Sequence, residues 1–480
     1  MPRTLYTFPS LSTCRYRTFG AHSIDDAYIP ASRPGLCTVG LSGLNNVHTD
    51  GELFPGRVHG FYPNTELQWT AAVKPSEGNV MRRSMMLIAI MILASGTGRS
   101  VPQSKQVIRA GPDFKLPFSP AVKAGKFIYV SGTLATDDAG KIVSGDAKAQ
   151  TKKVLENIAK ILQGAGCSLE DAASVNVYLR TIADFPAMNE VYQTYWAKDP
   201  PVRTTISGKL VLPDALVEMS MVVIPKGGER KVIHPSGWLK SPLPYSYGIL
   251  SGDTLFMAGL VARNIKDNQP VAGDIKEQVR VVMENGGEIL KAAGMSLGDV
   301  VSSRVFITDT AMFQDMNAAY RAFFPQDPPV RATVIAGLVA PQYMVEIAMQ
   351  AVKGSAREAF TTPNADGTPG QANPNLSSAI RVGNRLYLSG MLGNTAGTAG
   401  DIRAQTRETL ARIGRTLKAA GFEWVNVVDG VVYLTSVPNF NGMNEAYRET
   451  FAGEFPARAT VETGLVAPDG LVEIMFTAVK

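Results

Sequence analysis

The feature that most restricts how this chain can fold is an internal repeat of about 127 residues. Gly166, Gly294 and Gly421 lie 128 and 127 residues apart, and the same steps separate Phe185, Phe313 and Phe440. Asn189, Asn317 and Asn444 keep them too, as do Tyr192, Tyr320 and Tyr447. Three segments align on these landmarks, roughly 106–226, 231–353 and 372–480, so the chain carries one structural unit three times over. At ~100–200 residues per domain, a length of 480 residues accommodates three copies and an N-terminal extension, residues 1–105.

Each copy has the same pattern of elements. An apolar run ends in a small residue and glycine (Phe127 to Gly132, Leu255 to Gly259, Leu386 to Gly390), which predicts a strand ended by a tight turn. A helix follows. In the first copy Asp146 is a candidate N-cap, and Val154, Leu155, Ile158, Ile161 and Leu162 share one buried stripe before Ala165 and Gly166 close it. Ile402, Leu410, Ile413 and Leu417 do the same in the third copy, whereas the second carries Gly286 and Gly287 within the helix, at about 1 kcal/mol each relative to alanine. Its helix is therefore expected to be the weakest. A β-rich run, a short helix around Met-Asn-x-x-Tyr and two further strands complete the unit. The order β, β, α, β, α, β, β predicts an α+β sandwich whose free sheet face could be buried against the other copies.

Hydrophobic residues make up 45% of the chain and charged residues only 19%, a balance suited to packed cores rather than disorder. With 47 basic against 42 acidic residues and no long run of like charge, nothing calls for a nucleic-acid partner. Only Cys167 of the three cysteines falls in the repeats, and His22, His48, His59 and His234 have no ligand spacing, so no metal site is expected. Residues 81–96 combine a basic start, Met81-Arg82-Arg83, with an apolar run from Met85 to Ala94 and the small residues Ser95 and Gly96. That is the pattern of a secretory signal, with an apolar run too short to span a bilayer. If Met81 is the true start, the protein is expected to be exported, beginning near Thr97; otherwise it is expected in the cytoplasm.

The residues best suited to chemistry form a fixed pair in every copy: Arg203 and Glu218, Arg331 and Glu346, Arg458 and Glu473, each 15 apart. The glutamate sits inside an apolar strand, where a carboxylate is costly unless paired or hydrogen-bonded. One reading is an ion pair that pins the last hairpin. The other is a site: Thr205, Thr333 and Thr460 follow each arginine by two, a guanidinium suits a carboxylate ligand, and a hydroxyl and carboxylate beside it could position a water.

Pro-x-Arg-x-Thr, the later proline turn and the Val-Glu at the head of the last strand resemble the C-terminal signature of the RidA/YjgF family, also labelled L-PSP endoribonuclease. The resemblance extends over most of residues 106–480 three times, including Phe-x-x-Met-Asn-x-x-Tyr. It implies three tandem chorismate-mutase-like α+β domains forming an intrachain pseudo-trimer, with clefts between copies, no cofactor, and a small carboxylate-bearing molecule as partner. Enzymes of the family hydrolyse enamines or imines of 2-keto acids to the keto acid and ammonia. The resemblance assigns carboxylate binding to Arg203, Arg331 and Arg458, and water positioning to Glu218, Glu346 and Glu473. Substrate contacts fall to Gly132, Gly259 and Gly390 with the residues before them (Ser131, Ala258, Ser389), and to Asn189, Asn317 and Asn444.

Two departures from the family pattern matter. The cysteine often found two after the arginine is threonine in every copy, and a tyrosine ahead of the first hairpin survives only as Tyr245, with Phe118 and Leu376 at its counterparts. The expected function is a deaminase-like hydrolase; the alternative is a binding protein without turnover, which the missing tyrosines favour. An endoribonuclease would want a basic patch interleaved with aromatics and paired histidines, and neither is present. Tyr245 makes the second copy the most complete, so loss of Arg331 is expected to hurt more than loss of Arg458, unless a cleft takes its arginine from a neighbouring copy. Three copies in one chain are expected to work as a monomer.

Overall fold

The structure is a computed structural model and describes residues 105–110, 115–354, 356–451 and 453–480. Residues 81–96, Cys14 and Cys37 lie outside the described residues. In the first repeat β1 (Gln106–Ile108), β2 (Ala121–Ala124) and β3 (Phe127–Leu134) lead into α1 (Ala147–Gly164). Then follow β4 (Ala172–Leu179), α2 (Phe185–Tyr195), β5 (Val202–Ser207), β6 (Lys209–Leu210) and β7 (Val217–Val223). The sheet runs β1-β2-β3-β7-β4-β5, with β4 and β5 parallel and the other neighbours antiparallel. The second and third repeats keep this order, giving three sheets, each covered by its own helices.

The helices start and stop for local reasons. Asp146 accepts the N–H of Ala149 at 3.0 Å, Asp274 that of Glu277 at 2.9 Å, and Asp401 those of Arg403 and Ala404, which satisfies first-turn donors in all three. Just beyond the other end, Gly166, Gly294 and Gly421 take φ of 71°, 69° and 78°, a conformation that disfavours any side chain. The second repeat's helix, Ile275–Ala292, has the same 18 residues as its counterparts despite its two glycines. Gly286 has a packing reason: a Cβ there would meet the Met349 methyl at 2.5 Å.

Two local features differ from the sequence expectation. The strand ahead of Gly132 does not end in a tight turn: β3 continues to Leu134, and its pairing with β7 shifts register between Val130 and Thr133. The same bulge splits the counterparts into Thr254–Met257 and Leu260–Val261, and into Arg385–Leu388 and Met391–Leu392. Each sheet also has an extra outer strand, and the third of these, Arg357–Phe360, lies within the 354–371 segment that reads as a connection. Four partly exposed residues without alternation give no strand signal.

The repeats join through edges and faces. β6 pairs with Ala457–Glu462 of the third repeat, Gly464–Leu465 of the third pairs with Val330–Ile335 of the second, and Ser207 of the first donates its N–H to Gly337 of the second at 2.9 Å. These links run first to third to second to first. The sheet faces turned away from the helices are buried together, with Tyr178, Phe306 and Tyr433, one from each repeat, in a single apolar cluster. Among the described residues no helix is long and apolar enough to cross a membrane.

Candidate active sites between repeats

Each glutamate lies on its own repeat's last strand beside that repeat's bulge: the register partners are Leu134 and Glu218, Val261 and Glu346, Leu392 and Glu473. The glycine of the bulge makes room for it. A Cβ at Gly132, Gly259 or Gly390 would fall 1.9 Å from the carboxylate oxygen of Glu218, Glu346 or Glu473, so only glycine lets the backbone approach so closely.

The arginine facing each glutamate comes from another repeat. The N–H of Thr205 in the first repeat donates to Glu346 Oε1 of the second at 3.3 Å, and Gly259 N–H donates to the Arg203 carbonyl at 3.0 Å. Thr333 of the second repeat bonds Glu473 of the third through its backbone, and Gly390 N–H donates to the Arg331 carbonyl at 3.1 Å. Thr460 of the third likewise bonds Glu218 of the first. The three clefts are thus Arg203 with Glu346, Arg331 with Glu473, and Arg458 with Glu218. The pairs 15 apart in sequence do not meet, because their strands point the two side chains into different clefts. Among the described residues none of these arginines makes a direct ion pair with a glutamate across its cleft.

The guanidinium groups are placed by the second helix of their own repeat. Asn189, Asn317 and Asn444 lie three residues before Tyr192, Tyr320 and Tyr447, on one helix face. Arg331 Nη2 donates to Asn317 Oδ1 at 2.5 Å and Arg458 Nη2 to Asn444 Oδ1 at 2.8 Å. Tyr192, Tyr320 and Tyr447 set their rings 4.8, 4.9 and 4.7 Å from the guanidinium carbons. These tyrosines are site residues beyond those expected from the sequence, and their constant distance from the asparagine is the signal that marks them.

The clefts differ around this common frame. Ser389 Oγ accepts the N–H of Arg331 at 2.9 Å and Ser131 Oγ that of Arg458 at 2.8 Å, while each serine donates to a carbonyl of its own repeat. Ala258 cannot do this for Arg203. Tyr245 sits 5.9 Å from the Arg203 guanidinium carbon, and Phe118 sits 5.4 Å from that of Arg458. Tyr245 thus belongs with Arg203, and the expectation that it completes a site with Arg331 is corrected: the arginine in its cleft is the preceding repeat's. Asn189 Oδ1, Arg203 Nη1 and Glu346 Oε2, all at the Arg203 cleft, are buried without a protein hydrogen-bond partner, as are Arg331 Nε and Nη1 and Arg458 Nε in the other two. A recess of roughly 20 Å³, room for one or two waters, opens beside Tyr245 and Gly259, lined also by Trp238, Tyr247 and Arg263.

Burial sets the electrostatics. It pushes the carboxyl of Glu346 up to about 7 and those of Glu218 and Glu473 up to about 8, against the pull of a threonine N–H and the facing arginine. Burial also lowers Arg203, Arg331 and Arg458, the last to about 10. Carboxyls poised near neutrality can both take and give a proton. Among the described residues no cluster of three or more histidines, cysteines or acids could hold a metal ion.

The family model described as Endoribonuclease L-PSP matches residues 109–224, 239–353 and 369–480. A RutC family protein of Pyrococcus abyssi is 45% identical over 107 residues, which are 22% of this chain and 84% of that protein. The 3-aminoacrylate deaminase RutC of Acinetobacter baylyi is 46% identical over 107 residues, 22% of this chain and 85% of its own length. The crystal structure of RidA from an Antarctic Psychrobacter is 29% identical, covering 26% of this chain and 99% of that one, with a TM-score of 0.24.

Proposed function

The chain belongs to the Endoribonuclease L-PSP family, which includes enamine deaminases, and on that premise we propose that it hydrolyses small carboxylate-bearing enamines or imines, 2-imino acids to 2-keto acids and ammonia. The observation that carries this reading is a buried glutamate facing a buried arginine in each cleft, with Arg203 Nη1 and Glu346 Oε2 both lacking protein partners in one of them. Arg203 binds the substrate carboxylate, and Tyr192 stacks on the guanidinium to hold it in place. Glu346, as carboxylate, takes a proton from water as the water oxygen bonds to the imine carbon, and passes that proton to the nitrogen. The tetrahedral adduct then collapses: Glu346, again a carboxylate, takes the hydroxyl proton and delivers it to the amino group as the carbon–nitrogen bond breaks, and ammonia leaves with the keto acid formed. Tyr245 donates a hydrogen bond to the substrate or the attacking water.

Ammonia release from freshly generated 2-iminopropanoate tests the proposal. Release above the spontaneous rate, lost in Glu346→Gln, supports it. The second reading, a carboxylate-binding protein without turnover, is favoured by Phe118 and by Leu376, since neither can donate a hydrogen bond. Binding of 2-ketobutyrate with no acceleration of ammonia release would establish it instead. The exchanged strands further support a chain that works alone as the counterpart of a three-subunit ring, so light scattering is expected to give the mass of one chain, 51.4 kDa. A mass three times larger overturns that. The signal-like segment supports export, checked by the N-terminus of the native protein.

A further inference from the structure

Away from the clefts, the three sheets line a partly open cavity of roughly 100 Å³ with residues of all three repeats. One water needs about 10–15 Å³, so several waters or one small molecule fit. The walls are formed largely by β4, β7 and their counterparts, and register fixes which residues share a level. Ser174, Ser302 and Asp429 hold the third position of β4, Val300–Ile307 and Val427–Leu434; Asn176, Arg304 and Val431 hold the fifth. Three identical subunits would place three like side chains at each level, so a charged residue there would face two copies of its own charge. A tandem chain escapes that rule, and this one sets a single guanidinium, Arg304, and a single carboxylate, Asp429, into the same cavity.

Both charges are engaged but neither is used up. Arg304 Nη2 donates to Asn176 Oδ1 at 2.6 Å, and Asn176 Nδ2 in turn donates to Ser220 Oγ at 3.0 Å, which fixes the guanidinium against one wall. The Tyr433 hydroxyl also faces this guanidinium, but a guanidinium has five N–H donors, so beyond Asn176 and Tyr433 donors remain for a carboxylate. Arg304 and Asp429 attract each other, yet they are not among the direct ion pairs of the described residues. Each is partly exposed, although protein surrounds it, and the cavity is the space that both line. A plain anion in this space would meet Asp429, and a plain cation would meet Arg304. A molecule carrying both charges on neighbouring atoms satisfies the two walls together.

We propose that this cavity is a ligand site separate from the three clefts and that it takes a small zwitterion of the α-amino acid class, with the carboxylate on Arg304 and the ammonium on Asp429. Its volume favours glycine, alanine or serine over amino acids with long or aromatic side chains. The proposal does not depend on the clefts being catalytic.

Calorimetry of the full chain with glycine, alanine and serine, in the presence of saturating 2-ketobutyrate, tests it. One amino-acid site per chain is expected to persist when the clefts are filled, and to weaken about tenfold or more in Asp429→Ser and in Arg304→Asn. These substitutions install residues that the same register positions already hold in other repeats, Ser174 or Ser302 and Asn176. No amino-acid binding, binding displaced by 2-ketobutyrate, or equal binding in wild type and both variants would each overturn the proposal. A drop in Tm with unchanged affinity would make the charges merely structural and overturn it as well. Should a variant fail to fold, contacts between 13C-labelled glycine and the Met475 methyl, which lines the cavity, decide the matter in the wild-type chain by their presence or absence.

Discussion

The clefts of Arg203 and Arg458 are built from the same repeat elements and end in different states. Arg458 is tied on several sides, by Asn444, by the Ser131 hydroxyl on its backbone, and by the rings of Tyr447 and Phe118. Arg203 has the rings of Phe185, Tyr192 and Tyr245 beside it, an alanine where the serine would be, and an asparagine whose oxygen no protein group bonds. Each guanidinium keeps at least one buried donor without a protein partner, Nη1 in Arg203 and Nε in Arg458, but only the Arg203 cleft also leaves its asparagine and glutamate oxygens unbonded. On the proposed reading, these few differences between copies favour ligand binding at the Arg203 cleft over the Arg458 cleft.

The sharpest way to break this contrast is Glu346→Gln, which keeps the shape of the Arg203 cleft and removes its proton carrier. Turnover of 2-iminopropanoate is expected to fall ~10²–10⁴-fold, while Glu218→Gln in the Arg458 cleft costs far less. Equal losses would mean equal clefts. Next in size is Arg203→Ala, expected to weaken 2-ketobutyrate binding by about 2–5 kcal/mol in calorimetry, against a smaller change for Arg458→Ala.

The pH dependence of stability follows from the raised carboxyls. Glu218, Glu346 and Glu473 ionise at about 4.5 in the unfolded chain and near 7 to 8 when folded, so the native state holds the extra protons between those limits. Their contribution to stability is greatest in acid and is lost as pH rises. The urea midpoint is expected to decline from about pH 5 to about pH 8, and Glu346→Gln should flatten that decline by its share. A midpoint that rises over the same range would contradict the burial argument.

Much of this was legible in the sequence because three copies repeat it. The aspartate caps, the apolar stripes and the Arg/Glu positions each occur three times, so chance was easy to discount. Partnership was not legible. A spacing of 15 suggested that Arg203 and Glu218 meet, but spacing along a hairpin does not say into which cleft each strand turns its side chains. For the same reason spacing favoured Arg331 for Tyr245 and left a neighbouring copy's arginine as the alternative, which is where Tyr245 lies. The outer strand Arg357–Phe360 and the two-residue edges Lys209–Leu210 and Gly464–Leu465 carry no periodic signal, since their pairing is decided by what lies beside them.

Two smaller tests sharpen the contrast. Tyr245→Phe should lower kcat/KM for 2-iminopropanoate by about 1 kcal/mol in barrier, the worth of one hydrogen bond, and leave 2-ketobutyrate affinity nearly unchanged. Ala258→Ser should offer the Arg203 N–H the hydroxyl that its counterparts have, raising stability by about 0.5–1.5 kcal/mol in urea unfolding. No gain there would show that the bulge of the second repeat is shaped differently.

The short strands that pass between repeats also govern how these sites respond to dilution. Separate subunits lose their shared clefts when concentration drops below the dissociation constant. Here Lys209–Leu210 is covalently tethered near the third repeat's sheet, so its effective concentration is on the order of millimolar or more however dilute the protein becomes. Activity per chain should therefore be independent of protein concentration. The cost is coupling: each repeat lends its arginine to one cleft and its glutamate to another, so local unfolding of a single repeat disables two of the three sites together.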